Sequence, residues 1–478
     1  MEKFRVEKDF LGELEVERDR KYGIHSLRAK SNFPNNHLFS ISWYRAIGDV
    51  KRSFYRTVLK FKSAIDKKYP NLDLKISIPS NSCLNSMIQA SEEISLGKYF
   101  DDFIVPAISG GAGTSINMNV NEIIANRSLE ILGFNYGDYE KIDPVNDANI
   151  FQSTNDVIPS ALKIAIMRKL SILESGINDL RFEGEKLENR YRDIMRMGHT
   201  QMQEAVPTSY GKLFSSYNNA LSRDWWRVSK CFERIKVLNL GGGAIGTGLA
   251  IPRFVILEVI NNLKSELNLP LSRSENMSDT TSNLDTFVEV HAILKSLSVN
   301  LEKMVSDLRL LSSDLVKSSL SIPEKQTGSS IMPGKVNPVI PEYVVSCSAK
   351  VFANDSMISE LAAKGCLELN PYIPIIGDAL LNSLDLMISS VSTIKSNIFM
   401  GLTIESRNED ILYKTGIATA LVPYIGYKKS SELSFYMKRN NSSIIDANKH
   451  FNYIDNEKLL EIVKSNSLLK MGFSVADI

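Results

Sequence analysis

Histidine and cysteine are scarce in this 478-residue chain, which has five histidines (His25, His37, His199, His291 and His450) and four cysteines (Cys83, Cys231, Cys347 and Cys366). The cysteines form no CxxC pair and the histidines fall at no ligand spacing. That argues against a zinc site or a redox dithiol and for reduced thiols in a cytosolic protein. Neither sign of charge is in excess. Fifty-six Lys and Arg against 55 Asp and Glu leave a formal +1, so the balance calls for no nucleic-acid or membrane partner. No apolar run approaches the length of a bilayer span. The opening MEKFRVEKDF alternates charged with apolar residues and lacks the apolar core of a signal peptide. These absences predict a cytoplasmic protein. There is no long repeat, low-complexity tract or Pro-rich linker.

What is present is helical periodicity. Apolar residues recur from Ile166 through Leu170, Leu173, Ile177, Leu180, Leu187, Tyr191 and Ile194, interrupted only at Gly184. A stricter stripe runs Phe287, Val290, Leu294, Leu297, Leu301, Met304, Leu308 and Leu311. Steps of three and four sustained this long describe one face of a helix on the order of 40 Å in length. Such helices bury their stripes only by packing side by side in a bundle. Further helices are predicted over 212–237, 252–267, 342–361 and 376–398. Residues 1 to about 140 mix short helices with loops, and the basic, Pro-punctuated stretch 60–80 has the character of a surface connection. After Gly401 the stripes shorten, and Asn440, Asn441 and Ser443 mark a loop in a small helical tail. The prediction is an all-α chain in three parts: an N-terminal domain (1–141), a central long-helix bundle (142–398) and a small C-terminal domain (399–478).

Four polar, glycine-bearing segments interrupt this periodicity. The first, GGAGTS at 110–115, runs into Asn117, Asn119 and Asn121 and combines small residues with the hydroxyls of Thr114 and Ser115. Small residues admit a ligand to the backbone and hydroxyls donate to an anion, although a glycine-rich helix entry is more often a plain turn. The second is QSTND at 152–156, ahead of the first long helix. N-capping explains one of its polar side chains but not Ser153, Thr154 and Asn155 together. The third, GHTQMQE at 198–204, reads as a polar loop where that helix ends. The fourth, GSSIMPGKVNP at 328–338, joins a flexible opening to one lysine, one asparagine and two prolines, as a flap closing over an anion would.

The fourth string matches GSSxMPxKxNP, the signature of the aspartase/fumarase superfamily. The opening RVEKDFLGELEVERDRKYGIHSLRAKSNF, GGAGTSINMNVNE, QSTND, LGGGAIGTGL, LELNPYIPIIG and ATALVPYIGY follow in that family's order. The whole chain therefore resembles the superfamily, on the side of its aspartases and class II fumarases. The resemblance implies three helical domains, a homotetramer built on the central bundles, and active sites shared between three subunits. It implies cofactor-free elimination from a small dicarboxylate through an aci-carboxylate carrying two negative charges. Ser329 would be the general base, Lys335 and Asn337 the carboxylate-binding pair, Ser153 and Thr154 hydroxyl donors, and Arg28 an arginine near the same site. A serine is a weak base unless backbone N–H groups and positive charge stabilise its alkoxide.

The leaving group divides the branch. Hydroxide needs an acid, which fumarases supply from a histidine in a GRTH-type segment. That position is Gln201 here, and glutamine cannot shuttle a proton at neutral pH. An ammonia-lyase acting on aspartate is the expectation, with Thr114, Asn155, Thr200 and Gln201 holding the departing amine. The chain departs from the pattern at His199, where arginine is usual, at VNDAN (145–149), in the shortened segment before the signature, and at Ala250. A substituted aspartate with a bulkier amine and harmless drift both account for these changes. A fumarase, or a catalytically silent structural relative, is the lesser alternative.

Overall fold

The computed structural model describes residues 3–70, 76–316 and 319–475. An antiparallel hairpin of β1 (Phe4–Asp9) and β2 (Gly12–Glu17) opens the chain. Helices α1 (Ile24–Asn32), α2 (Ile41–Lys68), α3 (Asn81–Ser95) and α4 (Thr114–Ile131) follow. The longest element, α5 (Thr154–Arg190), leads into a second hairpin, β3 (Met195–Thr200) and β4 (Gln203–Ser209), and then into α6 (Tyr210–Ile235). The short β5 (Val237–Leu238) pairs in parallel with β6 (Ser272–Arg273), with α7 (Arg253–Leu267) between them. Then come α8 (Met277–Ser282), α9 (Asp285–Leu311), β7 (Leu320–Ser321), α10 (Val339–Ala362), α11 (Ile373–Asn397) and β8 (Thr403–Ile404), which pairs with β7. Helices α12 (Val422–Asn440), α13 (Ile444–Phe451), α14 (Asn456–Ile462) and α15 (Ser465–Leu468) complete the chain.

The helical class holds, and every long helix read from periodicity is present within a few residues of its expected ends. Gly184 does not break α5: a Cβ there would meet Asn218 of α6 and Phe399, so the missing side chain is a packing requirement. Two expectations need correction. The N-terminal part contains a 28-residue helix, α2, which absorbs residues 60–68 of the stretch read as a surface connection. Residues 71–75 of that stretch lie outside the described residues. The segment 198–204 is not a helix-terminal loop but the bend of the β3–β4 hairpin.

The chain divides into two compact units, each discontinuous: 1–174 with 226–296 and 347–388, and 175–225 with 297–346 and 389–478. In the first unit the opening turns of α5 are buried almost all round, at Val157, Ile158, Ala161, Leu162, Ala165 and Ile166. Trp43 of α2 donates its indole N–H to the Ile158 carbonyl at 3.2 Å, and its ring fills the place where a Cβ on Gly377 of α11 would sit. By length and composition α11 could cross a membrane, but it is a core helix: Ile376, Leu380 and Leu384 are buried, and Asp378 and Asp385 pair with His37 and Lys169. In the second unit Met195 and Met197 of β3 join Ile417, Leu421, Leu433, Met437, Ile444 and Leu459 in one apolar cluster. The second hairpin is thereby welded to the C-terminal helices.

Candidate active site

The start of α5 is built by its own sequence. Ser153 is the N-cap residue, and its Oγ accepts from the Asn155 N–H at 3.2 Å. Asp156, three residues on, accepts from the Ser153 N–H at 3.0 Å, completing a reciprocal capping pair. The other oxygen of the same carboxylate accepts from the N–H groups of Gly241 (3.2 Å) and Gly243 (3.0 Å). One buried carboxylate thus caps a helix and pins the GGGAIGTGL turn to it. Pro159 lacks the N–H that would have bonded the Asn155 carbonyl. The Asn239 side chain takes its place at 2.9 Å, while the Asn155 amide donates to the Ala244 carbonyl at 2.7 Å. Lys51, fully buried on α2, donates to Gln152 at 2.9 Å. Burial pushes the Asp156 carboxyl up and the Lys51 ammonium down from their ordinary values.

The glycine-rich segment 110–115 comes to the same place. Gly113 enters α4 in the left-handed region (φ +89°), and a Cβ there would lie 3.1 Å from Ile158. One turn into α4, Asn117 donates to Thr154 Oγ1 at 3.3 Å and to Asn149 Oδ1 at 3.0 Å. The expected residues Thr114, Ser115, Ser153, Thr154 and Asn155 therefore gather where α4 and α5 begin.

Arg28 stands on α1, whose start is held by carboxylates. Glu122 of α4 accepts from the N–H groups of Gly23, His25 and Ser26 and from the Ser26 hydroxyl, while Glu7 accepts from Ile24. Burial, with the Glu7 carboxylate as a lesser cause, pushes the Glu122 carboxyl up to about 7 against the donors that favour its charge. The Arg28 guanidinium is not an unattached surface group. It forms a two-pronged ion pair with Asp9 (2.8 Å for each contact) and donates to the Gly12 carbonyl at 3.2 Å. Asp9 is held below the usual carboxylate range by that hydrogen-bonded arginine.

In the second unit, Thr200 and Gln201 sit exposed at the bend of the second hairpin. Gln201 (φ 51°) and Met202 (φ 59°) are both left-handed, as a type I′ two-residue hairpin turn requires. Ala112, Phe151, Ala250 and Leu367 are also left-handed non-glycine residues; the first two lie in or beside the polar segments, and Ala250 follows the GGGAIGTGL turn. Strained backbone of this kind collects at functional sites.

The signature loop is tied at its base. The Gly328 N–H donates to the Lys335 carbonyl and the Asn337 amide donates to the Gly328 carbonyl, both at 2.7 Å. Inside this tie, Ser329 Oγ accepts from the N–H groups of Ile331 (3.1 Å) and Met332 (2.9 Å). Two amide dipoles aimed at one hydroxyl oxygen are the arrangement that favours an alkoxide. Lys335 is exposed and pairs with no carboxylate among the described residues.

A family described as Lyase matches residues 12–353. The aspartate ammonia-lyase of Bacillus subtilis is 34% identical over 475 residues, 98% of this chain and 97% of its own length. The aspartate ammonia-lyase of Escherichia coli is 37% identical over 430 residues, 88% of this chain and 87% of its own. The chain belongs to the aspartase/fumarase superfamily. Solved structures agree. A fumarate lyase:delta crystallin from Brucella melitensis, bound to cobalt, has a TM-score of 0.88 at 30% identity, over 97% of this chain and 99% of that one. A class II fumarase from Schistosoma mansoni has a TM-score of 0.86 at 25% identity, over 97% and 98%. With aspartate ammonia-lyase relatives matched over nearly their full length, the chain is an enzyme of the carbon–nitrogen lyase class.

Other polar clusters belong to packing. Ser383, His291 and Asp355 lie in hydrolase-triad order (2.9 and 3.0 Å), but Ser383 and His291 are fully buried and Asn354 already donates to the same serine. A cavity of about 500 Å³ in the second unit, bounded by Val206, Tyr424, Lys458, Ile462 and Phe473, contains none of the expected site residues. Sequence reasoning passes over Lys51 and Asn239, reads Asp156 only as a candidate helix cap and notes Asn149 only within a departure from the family's pattern. Asn117 stood in the GGAGTS segment, but only its position beside Thr154 gives it a role.

Proposed function

We propose that the enzyme catalyses the reversible elimination of ammonia from L-aspartate, or a close analogue, to give fumarate. Ser329 Oγ takes a proton from the carbon beside the substrate carboxylate, whose second negative charge is met by Lys335. Collapse of this aci-carboxylate breaks the C–N bond and expels the amine. Ser153, Thr154, Asn337 and Arg28 bind the carboxylates, and Thr114, Ser115, Asn155, Thr200 and Gln201 face the amine and its surroundings. The single observation that carries the reading is the pair of backbone N–H groups on Ser329 Oγ, the stabilisation a serine base requires. The aspartate ammonia-lyase relatives, at 34–37% identity, support ammonia as the leaving group.

Arg28 is the reserved element of this scheme, since Asp9 holds its guanidinium as a substrate carboxylate would. We further propose a cytoplasmic homotetramer whose sites draw on three subunits, acting without a cofactor, a reading that rests on the superfamily resemblance. Ultraviolet absorbance of fumarate, followed with L-aspartate and then a panel of N-substituted aspartates, tests the substrate. Fumarate released only from a substituted aspartate would move the assignment to a bulkier amine and leave the mechanism intact. The fumarase reading has the Schistosoma mansoni neighbour in its favour and requires turnover of malate.

A further inference from the structure

The three hydroxyls assigned to the base and to the substrate carboxylates share one feature: each oxygen receives an N–H. Ser153 Oγ receives the Asn155 N–H, Ser329 Oγ those of Ile331 and Met332, and Thr154 Oγ1 the side-chain amide of Asn117. Thr154 alone depends on a side chain, and on a rotatable one. A hydroxyl with an occupied lone pair keeps its proton free for another acceptor. If the amide turned round, its oxygen would face Thr154 and draw that proton away.

What sets the amide is a relay. The Gln152 carbonyl accepts from Asn149 Nδ2 at 3.1 Å, which fixes the Asn149 side chain with Oδ1 toward α4. That oxygen accepts from Asn117 at 3.0 Å and from Asn121 at 3.3 Å. Asn117 Nδ2 thereby spends one hydrogen on Asn149 and has the other for Thr154. Reversing it would set oxygen against oxygen. Asn117 is 1% exposed, and its own Oδ1 has no hydrogen-bond partner among the described residues. Among the described residues, only its nitrogen end rewards this orientation.

We propose that Asn117, oriented by Asn149, is a positioning residue that keeps the Thr154 hydroxyl proton directed at a carboxylate of the substrate. The proposal rests on the reading of Thr154 as a carboxylate donor, and its test uses succinate, a dicarboxylate with no leaving group. Succinate dissociation constants are measured by calorimetry on the full-length enzyme for wild type, Asn117→Leu, Thr154→Val and the double variant. Each single change is expected to weaken binding about tenfold. The double variant is expected within about twofold of the weaker single one, since both remove the same donor. Asn117→Ser, which keeps a donor hydroxyl, is expected to recover part of the loss. Melting midpoints check folding, and Asn117→Ala replaces Asn117→Leu in the cycle should the latter not fold. Losses that multiply to about a hundredfold would overturn the positioning role and leave dicarboxylate binding standing. Wild-type enzyme that fails to bind succinate would overturn the binding reading, and this inference with it.

Discussion

Residues 152–156 and 328–338 are both polar strings, yet they are built on opposite principles. The first is cross-braced from three directions: Lys51 on Gln152, Asn117 on Thr154, and the Gly241 and Gly243 amides on Asp156. The second is mostly exposed and, among the described residues, is tied chiefly to itself, through Gly328, Ser329, Lys335 and Asn337, with a bridge from Val336 to the adjoining Thr327. The difference separates two tasks. Groups that hold a substrate gain from a frame that never rearranges, whereas a base that must be enclosed to act belongs on a loop free to close.

That division is broken or sharpened by substitution on each side. The largest effect is expected from Ser329→Ala, which removes the base: kcat falls about a thousandfold, while succinate affinity changes less than about threefold. An activity left intact would remove Ser329 from the mechanism. Lys335→Ala is expected to lower kcat/KM about a hundredfold and to leave folding stability within about 0.5 kcal/mol, because its ammonium is solvent-exposed. Asp156→Ala should show the reverse emphasis. It strands the N–H groups of Ser153, Gly241 and Gly243 in the interior, for about 3 kcal/mol of lost stability in urea denaturation. Should Lys335 prove the more destabilising of the two, the contrast fails.

Glu122 extends the contrast to pH. Its carboxyl is raised from an ordinary 4.5 to about 7, so the native state holds a proton that the unfolded chain has already released. The sign follows: this contribution to stability is complete below pH 4.5 and is lost as pH rises through about 7. The full change is about 3 kcal/mol. Comparing wild type with Glu122→Gln by denaturation at pH 4.5 and pH 8 isolates it. Wild type should lose ground against the variant across that interval. A constant difference would show that Glu122 is ionised throughout.

How much of this was legible depended on how local the physics is. The stripe from Phe287 to Leu311 was readable because each residue is a step of three or four from the next, and all of α9 follows. The signature loop was readable as a string, and its internal ties lie within ten residues of one another. The hairpin at 195–209 was not, because Gln201 and Met202 carry none of the Asn or Gly preference that marks such turns. α2 was missed although Trp43, Ile47, Val50, Phe54 and Val58 keep helical spacing, since aromatic and basic residues crowd its stripe. The brace of Asn117 on Thr154 joins residues 37 apart, and Asn239 reaches Asn155 across 84. No spacing rule connects them. Only the fold does.

The smallest effect expected is also the finest probe of the loop. Gly334 lies at φ +76° with nothing within 4 Å of where a Cβ would stand, so alanine there meets no neighbour and costs only left-handed backbone strain. That strain is about 1 kcal/mol. In a braced segment it would be charged to the stability of the whole unit. In a loop tied chiefly to itself it is relieved locally, by opening. Gly334→Ala should therefore leave the melting midpoint unchanged and lower kcat/KM about fivefold, the rate equivalent of that strain in the closed loop. Gly328→Ala is the control with a clash, because its Cβ would fall 2.7 Å from the Asn337 backbone nitrogen and prise open the tie. Its activity should drop well below that of Gly334→Ala at the same global stability. A fall in melting midpoint for either variant would mean that the loop is braced by more than its own hydrogen bonds, and the separation between rigid binding groups and a closing base would lose its structural basis.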